Sequence, residues 1–336
     1  MNQELQERFA AFLDNQQPSI AEVREVFEPL SAGEFDEIHI AALLTAIRTR
    51  GETAADITGA AQAFLEVARP FPLPGSGVLD TAGTGGDGAN TINITTGASL
   101  LAAAAGARTV KCGNRSVSSS SGSADVLEAL GIAIDLAPEV AAQQVAEHNF
   151  TFLFAPLFHP ATAHVQPVRR ALKVSTLFNT LGPILSPVRP EFQIMGIANP
   201  HQGELIINTF RDLGRTHALV VHGSGTDEIA LHGSTIVWEL NKNEITRHEL
   251  QPSDFGVAHF ELSELAGAGA TENATAITNV LRGEGQPAHI AALTATAGAM
   301  LYVSNIAESF AAGTAKAQET IDNGQAATWL AAIQES

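Results

Sequence analysis

The chain has 336 residues, 18 Lys and Arg against 36 Asp and Glu, a formal charge of −18 and one cysteine. That length holds two domains or one large domain with an appendage, a single cysteine excludes an internal disulfide framework, and the acidic balance opposes nucleic acid or an anionic membrane as partner. The opening Met1-Asn2-Gln3-Glu4-Leu5 lacks the basic start and apolar core of a signal peptide, and the apolar runs fall short of the ~18 residues a bilayer span needs; the expectation is a cytoplasmic protein.

Up to Pro70 the pattern is helical. Leu5, Phe9, Phe12 and Leu13 share one helical face. Ser19-Ile20-Ala21-Glu22 reads as a capping box that opens a helix with Ile20, Val23, Phe27 and Leu30 inside. Phe35, Ile38, Leu43, Leu44 and Ile47 continue the pattern as far as Gly51, a C-cap. Ile57, Ala61, Phe64 and Leu65 belong to a fourth helix, and Phe71-Pro72-Leu73-Pro74-Gly75-Ser76 forms a stiff connector. Beyond it, strand-like runs at Gly77–Leu79, Arg108–Val110, Phe150–Phe154, Phe192–Ile197 and His217–His222 alternate with helical stretches, and from Glu272 the chain is alanine-rich and helical. Such alternation predicts an α/β fold: a small N-terminal α-helical domain over 1–72, joined by a short segment near 179–200, and a larger α/β domain over 77–336 with a mostly parallel central sheet flanked by helices.

Three constellations carry chemistry. The first runs from Asp80 to Thr96, with four glycines in the six residues 83–88, followed by Asn90, Thr91, Asn93, Thr95 and Thr96. Bare backbone N–H groups and hydroxyls between a strand and a helix start make a cradle for phosphate or diphosphate. Gly83, Gly85 and Gly88 satisfy G-x-G-x-x-G, but the acidic residue a dinucleotide site wants about 20 positions on is absent, since the next strand runs into Lys111. No Gly-Lys-Ser/Thr follows, which excludes a P-loop. Asp87 inside the loop would repel a bare diphosphate, so a loop working with a metal fits better than a ligand-free turn.

The second constellation, Lys111 to Asp125, opens with Lys111 and Arg115 and continues through a serine run. Bracketed by a strand and a helix, it reads as a second anion-binding loop rather than a flexible linker. The third is Asp227-Glu228, adjacent carboxylates in a glycine-rich loop after an apolar strand, suited as hard-oxygen ligands for Mg²⁺. In so acidic a chain an anionic substrate needs a local basic patch, for which Arg108, Lys111, Arg115, Arg169, Arg170 and Lys173 are the supply.

In order and spacing, Gly83-Thr84-Gly85-Gly86-Asp87, Asn93-Ile94-Thr95-Thr96, Lys111-x-Gly113-Asn114-Arg115, His159-Pro160-Ala161, Pro167-Val168-Arg169, Phe178-Asn179-x-Leu181-Gly182-Pro183 and Asp227-Glu228 closely resemble the anthranilate phosphoribosyltransferase family. The resemblance implies transfer of phosphoribose from 5-phosphoribosyl-1-diphosphate to the anthranilate amine in tryptophan biosynthesis, on a homodimer formed through the helical part. It implies a phosphoribosyl-diphosphate site of Gly83, Gly86, Asp87, Thr91, Asn93, Ile94, Thr95, Thr96, Lys111, Asn114, Arg115, Ser118, Ser119 and Ser123. The anthranilate site would comprise Gly83, Asn114, Arg169, His159, Gly182 and Pro183. Magnesium, two ions per subunit, would lie on Thr95, Asp227 and Glu228, with small-molecule substrates as the only partners. No general base is identifiable. The chain departs from the family pattern at Cys112, where His is usual, at Ser120, where a lysine is usual, and at Lys173-Val174-Ser175-Thr176, where Gly-x-Arg-Thr is usual. A related pyrimidine nucleoside phosphorylase, a relative with an altered acceptor and a non-catalytic relative are the alternatives; the acidic pair opposes the first and the net charge opposes a nucleic-acid-binding form of the last.

Overall fold

Each of the first four helices opens on a polar cap whose side chain accepts from one of its free N–H groups. Asn2 caps α1 (Gln3–Asp14), Ser19 with Glu22 closes a capping box on α2 (Ile20–Ser31), Asp36 caps α3 (Glu37–Arg50) and Thr53 with Asp56 caps α4 (Ala54–Glu66). The computed structural model describes residues 2–115 and 121–336. Val23, Phe27, Leu30, Leu43, Leu44 and Ile47 are fully buried, whereas Ile38 is 78% exposed. Ile38 precedes Ile40 by two positions, roughly 200° around the helix, which turns it away from the buried stripe. The connector after α4 is packed: Phe71 is buried edge-on against Phe158, with ring centroids 6.0 Å apart.

The α/β part runs β1 (Leu79–Gly83), α5 (Ile94–Ala104), β2 (Thr109–Gly113), α6 (Ser123–Ala129), α7 (Pro138–His148) and β3 (Phe150–Phe154). Three short helices, α8 (Ala155–Phe158), α9 (Gln166–Leu172) and α10 (Leu177–Leu181), then carry the chain back against the helical bundle, where Phe178 meets Phe64 at 5.2 Å. It returns through β4 (Phe192–Gly196), α11 (Gly203–Asp212), β5 (His217–Gly223) and the hairpin β6 (Thr235–Asn241) and β7 (Glu244–Leu250). It finishes with α12 (Ala270–Leu281), α13 (Pro287–Val303), α14 (Phe310–Asp322) and α15 (Gln325–Gln334).

The seven strands lie in the order β3-β2-β1-β4-β5-β6-β7, parallel from β3 to β5 and antiparallel beyond. Successive side chains take opposite faces: Ile194 and Leu219 join the core beneath α5 and α13, while Met195 and Val220 join a core continuous with the helical bundle. Because β1 to β3 build outward on one side and β4 and β5 on the other, the carboxyl ends of β1 and β4 flank a topological switch point, the usual place for a ligand crevice.

Several features differ from the sequence reading: β2 covers Thr109–Gly113 rather than Arg108–Val110, and the chain returns to the helical bundle already at α9, before the segment expected near 179–200. β1 lies over Leu79–Gly83, not Gly77–Leu79, because Gly77 has φ 68° and the amide of Val78 closes a turn onto Gly75 O. The polar strand residues are accommodated by partners no local pattern reveals, such as Ser99 Oγ 2.7 Å from Thr81 Oγ1. The edge hairpin was not anticipated: β7 is largely exposed and polar, so it lacks the apolar run of a central strand.

Candidate active site

β1 and β4 end side by side at Gly83 and Gly196, and the loop after β5 lays Asp227 across both ends. A Cβ on Gly196 would stand 1.6 Å from Asp227 O, and one on Gly83 would stand 2.6 Å from Asp227 Oδ2. At Gly196, where the obstacle is backbone, only glycine admits this crossing. The Gly85 amide, in a left-handed conformation at φ 62°, donates to Asp227 Oδ2 at 2.6 Å. Asp87 Oδ2 accepts from the Asp227 amide at 3.4 Å. Glu228 reaches the first turn of α5, accepting from the Thr95 amide at 3.3 Å and from Thr95 Oγ1 at 2.9 Å, where the helix dipole favours a carboxylate.

The electrostatics of this acidic cluster ask for a cation. Burial, then the charge of Asp87, pushes the Asp227 carboxyl up; burial, then Asp227, pushes Glu228 up, and the bonds from Thr95 pull it partly back. All the donors are hard oxygens, which suit Mg²⁺. Among the described residues no group of three or more His, Cys, Asp or Glu forms a ready metal cage, so a divalent ion here would complete its shell with substrate phosphates and water.

Beside the acidic cluster lies a cavity of about 270 Å³ whose wall includes Gly83, Lys111, Asn114, Ser123, Gly182 and Pro183. Residues from β1, β2, α6 and the end of α10 thus meet although nearly a hundred positions separate them. Cys112 also lines it, with its thiol pushed up by burial and so neutral. Lys111 is buried, its Nζ donating to Thr81 O at 2.8 Å, and burial pulls its ammonium down against the charges of Asp80 and Glu228. Arg115 turns outward over the ring of Phe154 and forks onto Glu128 of α6, with Nη2 at 2.8 Å from Oε1.

The remaining expected residues are distributed around this cleft. Gly86 is exposed and Asp87 half-buried in the glycine loop. Thr91 bridges to Ala266, and the Asn93 amide group is held by Ser121 and Asn273. Ile94 and Thr96 are buried in the first turn of α5. Ser118, Ser119 and Ser120 lie outside the described residues. Arg169 is half-buried, its guanidinium 5.8 Å from the Phe178 ring centroid, and burial alone lowers its pKa; it makes no ion pair among the described residues. His159 is placed differently: it is buried with Nε2 2.7 Å from Leu185 O, and burial holds it below the usual imidazole range. That is the setting of a structural histidine. His164 sits over Gly33, where a Cβ would come within 2.8 Å of its ring.

Sequence reasoning placed Asp80 and Thr84 in the glycine-loop run without giving either a role, and did not name Ala155. Asp80 is fully buried on β1 and accepts from the Cys112 amide at 3.3 Å; an acid inside an apolar strand was the available signal. Thr84 Oγ1 accepts from the Ala198 amide at 3.1 Å, and nothing in the sequence marks Ala155 as part of the cavity wall.

A glycine loop and an acidic pair at the switch point of this sheet, with a helical bundle beside it, are the arrangement of a glycosyl transferase, the class to which the chain's two domains match. Residues 75–327 match the glycosyl transferase family a/b domain and residues 8–68 its helical bundle domain. The chain is 61% identical over 325 residues to an anthranilate phosphoribosyltransferase of Corynebacterium aurimucosum, covering 97% of this chain and 94% of that one. It belongs to the anthranilate phosphoribosyltransferase family. The crystal structure of the Thermus thermophilus enzyme superposes with a TM-score of 0.91 at 36% identity over 99% of both chains. The Saccharomyces cerevisiae enzyme in complex with PRPP and Mg gives 0.86 at 26% identity over 98% of this chain and 97% of that one.

Proposed function

We propose that this protein transfers the phosphoribosyl group of 5-phosphoribosyl-1-diphosphate to the amine of anthranilate, releasing diphosphate and N-(5-phosphoribosyl)anthranilate, a step of tryptophan biosynthesis. The observation that carries the reading is the meeting of Gly83, Lys111, Asn114, Gly182 and Pro183 in one cavity beside Asp227 and Glu228. The glycine loop and the start of α5 bind the donor through backbone amides and the hydroxyls of Thr91, Thr95 and Thr96. Lys111 supplies a buried positive charge, which acts more strongly than an exposed one. Asn114, Gly182 and Pro183 line the acceptor's approach, and Arg169 pairs with the anthranilate carboxylate, a contact favoured by a half-buried guanidinium that makes no ion pair among the described residues.

Thr95, Asp227 and Glu228 would hold magnesium, two ions per subunit. Magnesium, when bound, supplies positive charge to the departing diphosphate. As the ribose C1–oxygen bond breaks, the amine nitrogen attacks C1 from the opposite face. The loops contribute by orienting the two substrates in line and by presenting preorganised donors to the leaving group. No side chain is required as a covalent nucleophile. The acting unit is a homodimer joined through the helical bundle. Among the described residues no helix is long and apolar enough to cross a membrane.

Mixing the protein with anthranilate, 5-phosphoribosyl-1-diphosphate and Mg²⁺ and following the loss of anthranilate fluorescence tests the reaction. Fluorescence that stays constant in the complete mixture, with folded protein, refutes it.

A further inference from the structure

Gln193 is a primary amide near the start of β4, the central strand of the sheet, and is fully buried. Burying an amide costs free energy unless its hydrogen bonds are met inside the fold, so a glutamine at this position asks for specific partners. Both are present: Arg215 Nε donates to Gln193 Oε1 at 2.9 Å, and Gln193 Nε2 donates to Pro183 O at 3.1 Å. The direction of this relay is forced. A guanidinium only donates and a carbonyl only accepts, so the amide turns its oxygen to Arg215 and its nitrogen to Pro183. Arg215 is itself buried and fixed by a second bond, from Nη1 to Leu213 O at 3.2 Å. Asp80, opposite Gln193 in the pairing of β1 with β4, adds a charge that favours the protonated guanidinium.

Pro183 belongs to the cleft. It follows Gly182 at the end of α10, is half-buried, and forms part of the cavity wall with Gly83, Lys111 and Asn114. A proline has no N–H, so its carbonyl is the one polar backbone group by which the fold can grip it. Two residues on, Leu185 O is gripped in the same way by His159 Nε2 at 2.7 Å. The side chains of Ile184 and Leu185 are buried in the core shared with the helical bundle. Packing thus fixes where the segment sits. The carbonyl bonds fix how its peptide planes are turned, and with them the tilt of the Pro183 ring against the cavity.

We propose that Gln193, oriented by Arg215, is a positioning residue for the acceptor: it acts through Pro183, setting the wall against which the acceptor's aromatic ring lies. This rests on the reading of the cleft as the site of an aromatic amine.

The test compares the natural protein with Gln193→Met and Gln193→Glu. Methionine keeps the length of the side chain and removes both bonds. Glutamate keeps an acceptor for Arg215, whose charge holds the carboxylate ionised, and turns the donor to Pro183 O into a second acceptor; it carries the test where Gln193→Met fails to fold. In both variants the KM for anthranilate should rise at least about fivefold and that for the ribosyl diphosphate stay within about twofold, because a displaced wall misplaces one substrate only. A variant that was merely less stable would lower the active fraction and leave both KM values in place. Hydrogen–deuterium exchange of the substrate-free chains is the second readout. The amides of Ile184 and Leu185, both bonded to Leu181 O, should exchange faster in the variants, with those of α5 unchanged. A natural protein inert toward anthranilate refutes the function reading, and the exchange result then decides whether Gln193 holds the wall. An unaltered anthranilate KM in Gln193→Glu, or unaltered exchange at 184–185 in both variants, overturns the proposal.

Discussion

Replacing Thr95 by Val keeps the outline of the side chain and removes one oxygen. That oxygen stands 2.9 Å from both carboxylate oxygens of Glu228, yet a hydroxyl has one proton, so the two contacts amount to a single charge-assisted hydrogen bond. Such bonds contribute about 1.5–3 kcal/mol. Thr95 is only partly buried and its backbone amide still holds Glu228 at 3.3 Å, so the lower end applies, about 1.5 kcal/mol or roughly tenfold in an equilibrium constant. Since Thr95 is also assigned as a magnesium ligand, the half-saturating Mg²⁺ concentration should rise by about that factor, and the loss of the same bond from the metal-free fold should lower Tm by about 2–4 °C. The assay is anthranilate fluorescence loss at saturating substrates over a magnesium series, with Thr95→Ser as the control that retains the oxygen. A Thr95→Val enzyme whose magnesium dependence overlays that of Thr95→Ser would refute the assignment.

The glycines under Asp227 make a paired test: Gly196→Ala meets a backbone oxygen at 1.6 Å and should destabilise by about 3 kcal/mol or more, whereas Gly83→Ala meets the Asp227 carboxylate at 2.6 Å, a side chain able to swing aside. Thermal melts should therefore show a large loss for Gly196→Ala only, with turnover reduced in both; equal melts refute the reasoning. Arg169→Ala should raise the KM for anthranilate and leave that for the ribosyl diphosphate nearly unchanged, since removing one partner of a desolvated charge pair costs about 2–5 kcal/mol; equal effects on both substrates would assign Arg169 to the donor site or the fold. Burial holds His159 below its unfolded value, so below about pH 6.5 the unfolded chain binds a proton that the folded chain refuses. Stability is then fully present above that pH and falls as pH drops toward the folded pKa, by at most about 1.4 kcal/mol per unit. Urea unfolding of the natural protein and His159→Gln between pH 7.5 and 5.5 should show the natural protein losing more, and parallel losses would discard the explanation. Lys173 occupies the left-handed C-cap of α9 at φ 53° and is exposed; Lys173→Gly should raise stability by about 0.5–1 kcal/mol, read as a higher Tm, and an unchanged or lower Tm counts against it.

Much of the architecture was legible because it is written locally. Caps such as Ser19 with Glu22, and buried stripes such as Leu43, Leu44 and Ile47, repeat at helical spacing and declare themselves within a single turn. The parallel strands β3, β4 and β5 declared themselves through short apolar runs. The strand that matters most to the site, β1, was placed too early because its residues Asp80 and Thr81 are polar and their partners, Cys112 and Ser99, come from elsewhere in the chain. The edge strand β7 escaped because it faces solvent and carries charges instead of an apolar run, whereas β6, buried between β5 and β7, carries the run Ile236-Val237-Trp238 that the reading passed over.

By itself the sequence determined which chemistry was on offer: a glycine loop with hydroxyls, a lysine and arginine after a strand, and an acidic pair in a turn, in an order that resembles one transferase family. Those are statements about residue types and short spacings, the only range over which an unfolded string constrains itself. The tertiary structure alone decided how they are used. It laid Asp227 over the ends of β1 and β4, set Glu228 on the first turn of α5, sank Lys111 beneath the cleft and turned Arg115 outward onto Glu128. Likewise only the fold buried His159 against Leu185 O and strung Gln193 between Arg215 and Pro183 O. Burial and charge pairing depend on neighbours supplied by distant segments, and their energies appear only when the packed chain removes water from between them.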